Sequence, residues 1–153
     1  MDAYAFHQGS FGHAVVLELR DSLVAHAHAE TQFAFWLGGG RADAQVGSHR
    51  VCYGEHVALG TNAYESHDAR LIDDAGPAIF LVLYIEPHWL DARRASTGRP
   101  FYFPSPSVPI NAALRQACWR VLDIIVSPHD QRRGLIDQEV ARLLDAAIDA
   151  TLG

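Results

Sequence analysis

His26-Ala27-His28 places two imidazoles two residues apart. On a β-strand that spacing puts both rings on one face, where they can converge on a ligand or a metal ion. Gln32 follows four residues after His28, a Gly38-Gly39-Gly40 turn closes the segment, and a second polar pair, Glu65 and His67, lies past Gly54. The i,i+2 spacing is common by chance, and a metal site needs three or more donors converging from separate strands, so the second cluster carries the weight. Glu65 or His67 must supply the third donor. Two imidazoles and one carboxylate would suit Zn²⁺, Ni²⁺, Fe²⁺ or Mn²⁺, with Gln32 as a poorer, neutral oxygen donor. With no ion, His26 and His28 read as mouth residues bonded to backbone or water. His7, His13, His49, His56, His88 and His129 read as surface or satisfied residues.

The elements that must position these groups are short β-rich runs between glycine or polar turns. Candidate strands cover 13–20, 32–37, 42–46, 50–53, 56–59, 69–72 and 78–86. The run from Ile79 to Ile85 is almost continuously apolar, which predicts a strand covered on both faces. Gly47-Ser48 has hairpin chemistry, Asp74-Ala75-Gly76-Pro77 marks another reversal, and Asp73-Asp74 reads as turn chemistry rather than an acid/base pair. If the phase of His26 and His28 continues, even-numbered residues face inward. Gln32, Ala34 and Trp36 then join the histidines and Trp36 becomes a pocket wall, while Phe33 and Phe35 pack outside. Tyr64, in the loop after Gly60, is placed to cover the mouth.

The pattern changes after residue 90. Pro100, Pro104, Pro106 and Pro109 make 91–110 a connecting loop, with no helix between Arg99 and Pro109. From Asn111, the positions Leu114, Ala117, Cys118, Val121, Leu122 and Ile125 recur at three and four residues, which predicts a helix that Pro128 ends. Ile136, Val140, Leu143, Leu144, Ala147 and Ile148 form a second such stripe. Residues 1–90 are therefore expected to form a β-barrel and 111–153 a two-helix packing or dimerisation segment, all in one domain. Covering the last stripe falls to the other helix and barrel or to a second copy of the chain.

The order His-x-His, turn, glycine and second polar pair resembles the cupin double-stranded barrel, over roughly residues 10 to 90. His26 and His28 match the first motif's histidines, Gln32 falls where the family's metal-binding Glu stands, and Gly39 matches the closing glycine. Gly54 opens the second motif, Gly60 stands at its usual proline, and Glu65 falls where its histidine is expected, with His67 two residues later. The resemblance implies a mainly β, jelly-roll barrel followed by two C-terminal helices, with His26, His28, Glu65 and Gln32 as the metal set.

A barrel followed by two helices also resembles the N-terminal effector-binding and dimerisation domain of AraC-type transcription regulators. The segments that carry this are His26 to Gly38, Gly54 to His67 and the tail from Leu135 through Leu144. That resemblance implies a small-molecule effector held near His26, His28, Gln32, Trp36, Tyr64, Glu65 and His67. It further implies a homodimer built on Leu135, Val140, Leu143, Leu144 and Ala147, with DNA contacted only through a C-terminal region not present in this chain. The alternative is a stand-alone metal-dependent cupin enzyme of dioxygenase or isomerase type.

Composition narrows the field. The chain has 153 residues, 49% of them hydrophobic, enough for one domain with a substantial core. A net charge of −6 argues against direct nucleic-acid binding, and Arg93-Arg94 and Arg132-Arg133 are too short to form a basic footprint. Cys52 and Cys118 read as buried reduced thiols. Neither a leader nor a membrane-length apolar run is visible, so a soluble cytoplasmic protein is expected. A P-loop, a Gly-x-Ser-x-Gly elbow and a cysteine nucleophile are all lacking, which makes phosphate-loop or covalent chemistry a poor fit.

Overall fold

A computed structural model describes residues 2–72, 76–127, 129 and 131–152. The expected turn at Asp73-Asp74 and the helix stop at Pro128 lie outside the described residues. The strands are β1 (Asp2–Gly9), β2 (Gly12–Leu19), β3 (Leu23–His26), β4 (Thr31–Gly39), β5 (Ala42–Val46), β6 (His49–Tyr53), β7 (Val57–Thr61), β8 (His67–Leu71), β9 (Ala78–Ile85) and β10 (Ser107–Pro109). The helices are α1 (Pro87–Thr97), α2 (Ala112–Val126) and α3 (Ile136–Leu152), the last entered through a 3-10 turn (Gln131–Leu135).

Pairing follows one rule. β2 pairs with β9, β3 with β8, β4 with β7 and β5 with β6, all antiparallel. The chain is thus one long hairpin wound on itself, with its tip at β5–β6 and alternate pairs in opposite sheets, which is the jelly-roll connection. Gly47 turns the tip at φ 57°, a value a side chain disfavours. One sheet has the order β1-β2-β9-β4-β7-β10 and the other β3-β8-β5-β6.

The six-stranded sheet is covered on both faces. Ala78, Phe80 and Val82 of β9 face the second sheet with Val15, Leu17, Ala34 and Leu59. Leu81, Leu83 and Ile85 face the helices with Phe33, Phe35, Leu114, Val121 and Leu143. The near-continuous apolar run of β9 has this two-sided burial as its cause. α2 begins at Asn111, whose side chain accepts a hydrogen bond from the Leu114 N–H at 2.9 Å, and both helical stripes lie where periodicity put them.

Four corrections follow. β1, β3, β10 and α1 were not foreseen, and α1 carries helix into 91–97, so the connecting loop is shorter than 91–110. α1 buries no residue, so it has no apolar stripe to read. Its signals are Pro87 at the first turn and Gly98 at the C-cap with φ 73°. Next, Val140, Leu143, Leu144 and Ala147, assigned to a dimer interface, are all 0% exposed inside the chain's own core, and only Leu135 is exposed. The stripe is covered by α2 and the sheet and is unavailable to a second copy. Lastly, Cys118 is buried as expected, but Cys52 is exposed on β6. Among the described residues no helix is long and apolar enough to cross a membrane.

Candidate metal centre

His67 starts β8, in phase with Ala69 and Leu71, and so faces the space between the sheets. β3 pairs with β8 so that His26 lies directly opposite His67. β3 stops at His26, and His28 reaches the same place from the segment beyond the strand, so continuous strand alternation is not what joins the pair. The ring centroids lie 4.4 Å apart for His26 and His67, 5.0 Å for His28 and His67, and 5.8 Å for His26 and His28. One ring nitrogen from each falls within 4.8 Å of the other two.

The remaining nitrogens fix the tautomers. Each Nδ1 lies 2.9 Å from a backbone carbonyl: Val24 for His26, Glu30 for His28 and Glu65 for His67. A carbonyl only accepts, so each Nδ1 carries the proton and each neutral ring keeps its lone pair on Nε2. Nε2 of His67 is buried and has no hydrogen-bond partner. Burial pushes the His67 pKa down and outweighs the Glu65 carbonyl, and the neighbouring His26 and His28 rings push the same way. The group is held neutral, with a free lone pair aimed among two other imidazoles.

That orphaned nitrogen is the test of whether a metal fits, and the residues pass it. Three carbonyl-oriented imidazoles reproduce the outer-shell arrangement that orients histidine ligands. An all-nitrogen set suits Zn²⁺, Ni²⁺ or Fe²⁺, whereas Mn²⁺ prefers carboxylate oxygen. Glu65 is a correction to the expected ligand set, since its carboxylate accepts from the Asn62 N–H at 2.6 Å and caps its own loop. Gln32 stands beside the cluster, its Oε1 2.9 Å from Nε2 of His28. A carbonyl oxygen cannot donate, so beside the lone pair on Nε2 the Gln32 amide is turned by half, with its NH₂ toward the ring.

Around the cluster, the facing sheet presents a cross-strand row. His13 lies opposite Tyr84, Tyr84 opposite Gln32, and Gln32 opposite Thr61. Tyr84 stacks on His13 at 4.6 Å and meets the edge of His28 at 5.7 Å. Burial, then the Glu30 carboxylate, pushes its phenol pKa up, so it stays a donor at neutral pH. Sequence reasoning missed Tyr84, His13 and Thr61. Their signal was phase: Tyr84 lies on the inner-facing side of the apolar run with Phe80 and Val82.

Trp36 and Tyr64 do not join the cluster. Trp36 lies further along β4, donates from Nε1 to the Gly40 carbonyl at 3.0 Å and carries Arg41 over its ring. Tyr64 is 73% exposed and left-handed at φ 64°, and its N–H holds the His28 carbonyl at 2.7 Å. Behind Gln32 and Tyr84 the space between the sheets is only about 40 Å³. That admits a few waters, not an organic effector.

No family model and no curated protein sequence matches the chain. Among solved structures, it is similar to a cupin superfamily protein from Desulfitobacterium hafniense, with 14% identity and a TM-score of 0.47 over 56% of this chain and 76% of that one. It is similar to the DMSP lyase DddQ from Ruegeria pomeroyi, with 22% identity and a TM-score of 0.38 over 49% of this chain and 37% of the lyase. A Bacillus subtilis oxalate decarboxylase shares 16% identity with a TM-score of 0.43, over 56% of this chain and 28% of the enzyme. The chain therefore spans well under two thirds of the lyase and the decarboxylase. By its own strand pairing, the chain is a cupin-like double-stranded β-barrel followed by two C-terminal helices, with three histidines gathered at one place in it.

Proposed function

We propose that this barrel holds one divalent transition metal ion through Nε2 of His26, His28 and His67, and that its function is carried out there. The observation that supports this most directly is the buried, unpartnered Nε2 of His67 beside two rings with the same tautomer. A buried polar atom without a partner costs about 1–3 kcal/mol, which a bound ion would recover. Such an ion would supply Lewis-acid or ligand-binding chemistry at the positions the protein leaves open. Gln32 and Tyr84 line the same space and offer hydrogen bonds to whatever binds there. Thr61, with an unpartnered buried hydroxyl, sits beside Gln32 in the row.

The sensing domain of an AraC-type regulator is the second reading, supported by the two-helix layer that follows the barrel. In that case the effector binds at the mouth, and attached DNA-reading domains respond to a change there. The experiment is metal analysis of protein purified without chelator or a nickel column, then reloaded separately with Zn²⁺, Ni²⁺ and Fe²⁺. Near-stoichiometric retention, lost in His28→Ala and in His67→Gln, is expected. Wild-type protein that retains none of the three ions would overturn the metal reading and leave the sensing domain as the better one.

A further inference from the structure

α1 leaves a separate cleft that the histidine cluster does not use. Its cavity of about 260 Å³ lies between one face of α1, the strand-flanking residues Ala29 and Asn62, and the segment 100–102. Leu90, Asp91 and Arg94 line it from the helix, and Phe101 and Tyr102 from the segment opposite. Arg94 lies four residues past Leu90 and three past Asp91, which places the guanidinium one turn above both the aliphatic and the carboxylate.

Two features mark it as a site for a ligand of particular charge. Asp91 and Arg94 are one helical turn apart with opposite charge, yet among the described residues neither side chain has an ion-pair or hydrogen-bond partner. The neighbouring Arg93 and Arg99 both pair with aspartates of α3, Arg93 to Asp145 at 2.8 Å and Arg99 to Asp149 at 3.5 Å. The unpaired charges are therefore the two that face the cavity. Leu90, Phe101, Pro87 and Pro100 supply apolar or aromatic wall, and Thr31 and Asn62 add neutral polar groups that carry no charge.

We propose that this cleft binds a small zwitterion with an apolar body, of the α-amino-acid class, its carboxylate on Arg94, its ammonium toward Asp91 and its side chain against Leu90 and Phe101. A guanidinium matches a carboxylate in charge and fork geometry, and a carboxylate takes an ammonium the same way. A simple anion would have to accept Asp91 as a neighbour, and a simple cation Arg94. A zwitterion satisfies both. The inference does not depend on a metal and is tested on metal-free protein.

The test is calorimetric titration of the full chain with L-phenylalanine and L-leucine, beside phenylacetate and phenethylamine, each of which carries only one of the two charges. At least one amino acid should bind saturably, and the single-charge compounds should bind at least about tenfold more weakly, the loss of one charge-assisted contact. Arg94→Ala and Asp91→Asn should each cost a similar factor, and Leu90→Trp should fill the cavity and abolish binding. These residues are exposed or half-buried, so the variants should fold, as circular dichroism would show. No saturable binding by either amino acid overturns the proposal. So does equal binding of phenylacetate, which would make the site a plain carboxylate pocket on Arg94.

Discussion

His26 and His67 occupy directly opposed positions on β3 and β8, and their rings meet edge-on at 4.4 Å. Strand pairing therefore places two of the three nitrogen donors side by side, and His28 is brought to them by the segment beyond β3. His67, at 3% exposure, is the inner member of the pair. We expect His67→Ala to lower affinity for Zn²⁺ by tenfold or more, because two imidazoles remain where three converged. Without metal the same change should cost only about 1–3 kcal/mol, since it deletes an orphaned nitrogen together with the Nδ1 bond to the Glu65 carbonyl. Metal titration and thermal melting of both proteins in chelator check this. A large loss of stability with metal affinity unchanged would mean that His67 serves the core.

Acid should destabilise the protein before its carboxylates titrate. Burial lowers the pKa of His7, His13 and His67 from the ordinary 6.5, with Arg133 adding to the effect at His7 and the other two imidazoles at His67. Above that value both folded and unfolded chains are neutral at these sites. As pH falls through it, the unfolded chain takes up protons that the folded chain refuses, so stability falls. The melting temperature of metal-free protein should drop between about pH 7.5 and pH 5.5. A flat or rising profile over that interval would refute the assignment. With metal present the drop should steepen, because protons compete for the same lone pairs.

Leu143 and Leu144 were read from sequence as interface residues, and the structure buries both completely against α2 and the outer face of the six-stranded sheet. Leu143→Ala should therefore cost about 2–5 kcal/mol, the usual range for a fully buried leucine that leaves a cavity. Urea unfolding followed by circular dichroism measures the loss, and sedimentation under native conditions should show no change in mass. Dissociation without loss of stability would return the helix to an interface role.

Apolar runs made the strands of the barrel legible, because two-sided burial of β2, β4 and β9 writes directly into residue type. The α2 and α3 stripes were legible for the same reason. What covers a stripe is not written in it, and so α3 could be mistaken for an interface. α1 has no stripe, and β1 is an edge strand whose Tyr4 and Phe6 stay exposed, so neither had a burial pattern to read. At the site, His26, His28 and His67 were all singled out, yet choosing between Glu65 and His67 needed the loop conformation. Tyr64 is left-handed there, and the Glu65 side chain turns back to the Asn62 N–H. A sequence motif that places ligands by order cannot see that reversal.

That loop provides the last prediction. Asn62 clamps the backbone of Phe103 twice, donating from Nδ2 to its carbonyl at 2.9 Å and accepting its N–H at 2.8 Å, while its own N–H is taken by Glu65. Phe103 in turn packs so closely on Gly60 that a Cβ there would lie 2.8 Å from its ring. The carbonyl of Glu65 orients His67 and the N–H of Tyr64 holds the His28 carbonyl, so one short loop supports two of the three histidines. Asn62→Ala removes both clamp bonds and should cost roughly 1–3 kcal/mol at about 0.5–1.5 kcal/mol each. It should also weaken metal binding, by up to about 10–100-fold if the loop acts as outer-shell support. Glu65→Gln keeps an acceptor for the Asn62 N–H and should do far less. Hydrogen exchange across 60–67, measured beside metal affinity in both variants, separates the two effects. If Asn62→Ala frees the loop and leaves affinity intact, the loop gives the histidines no support.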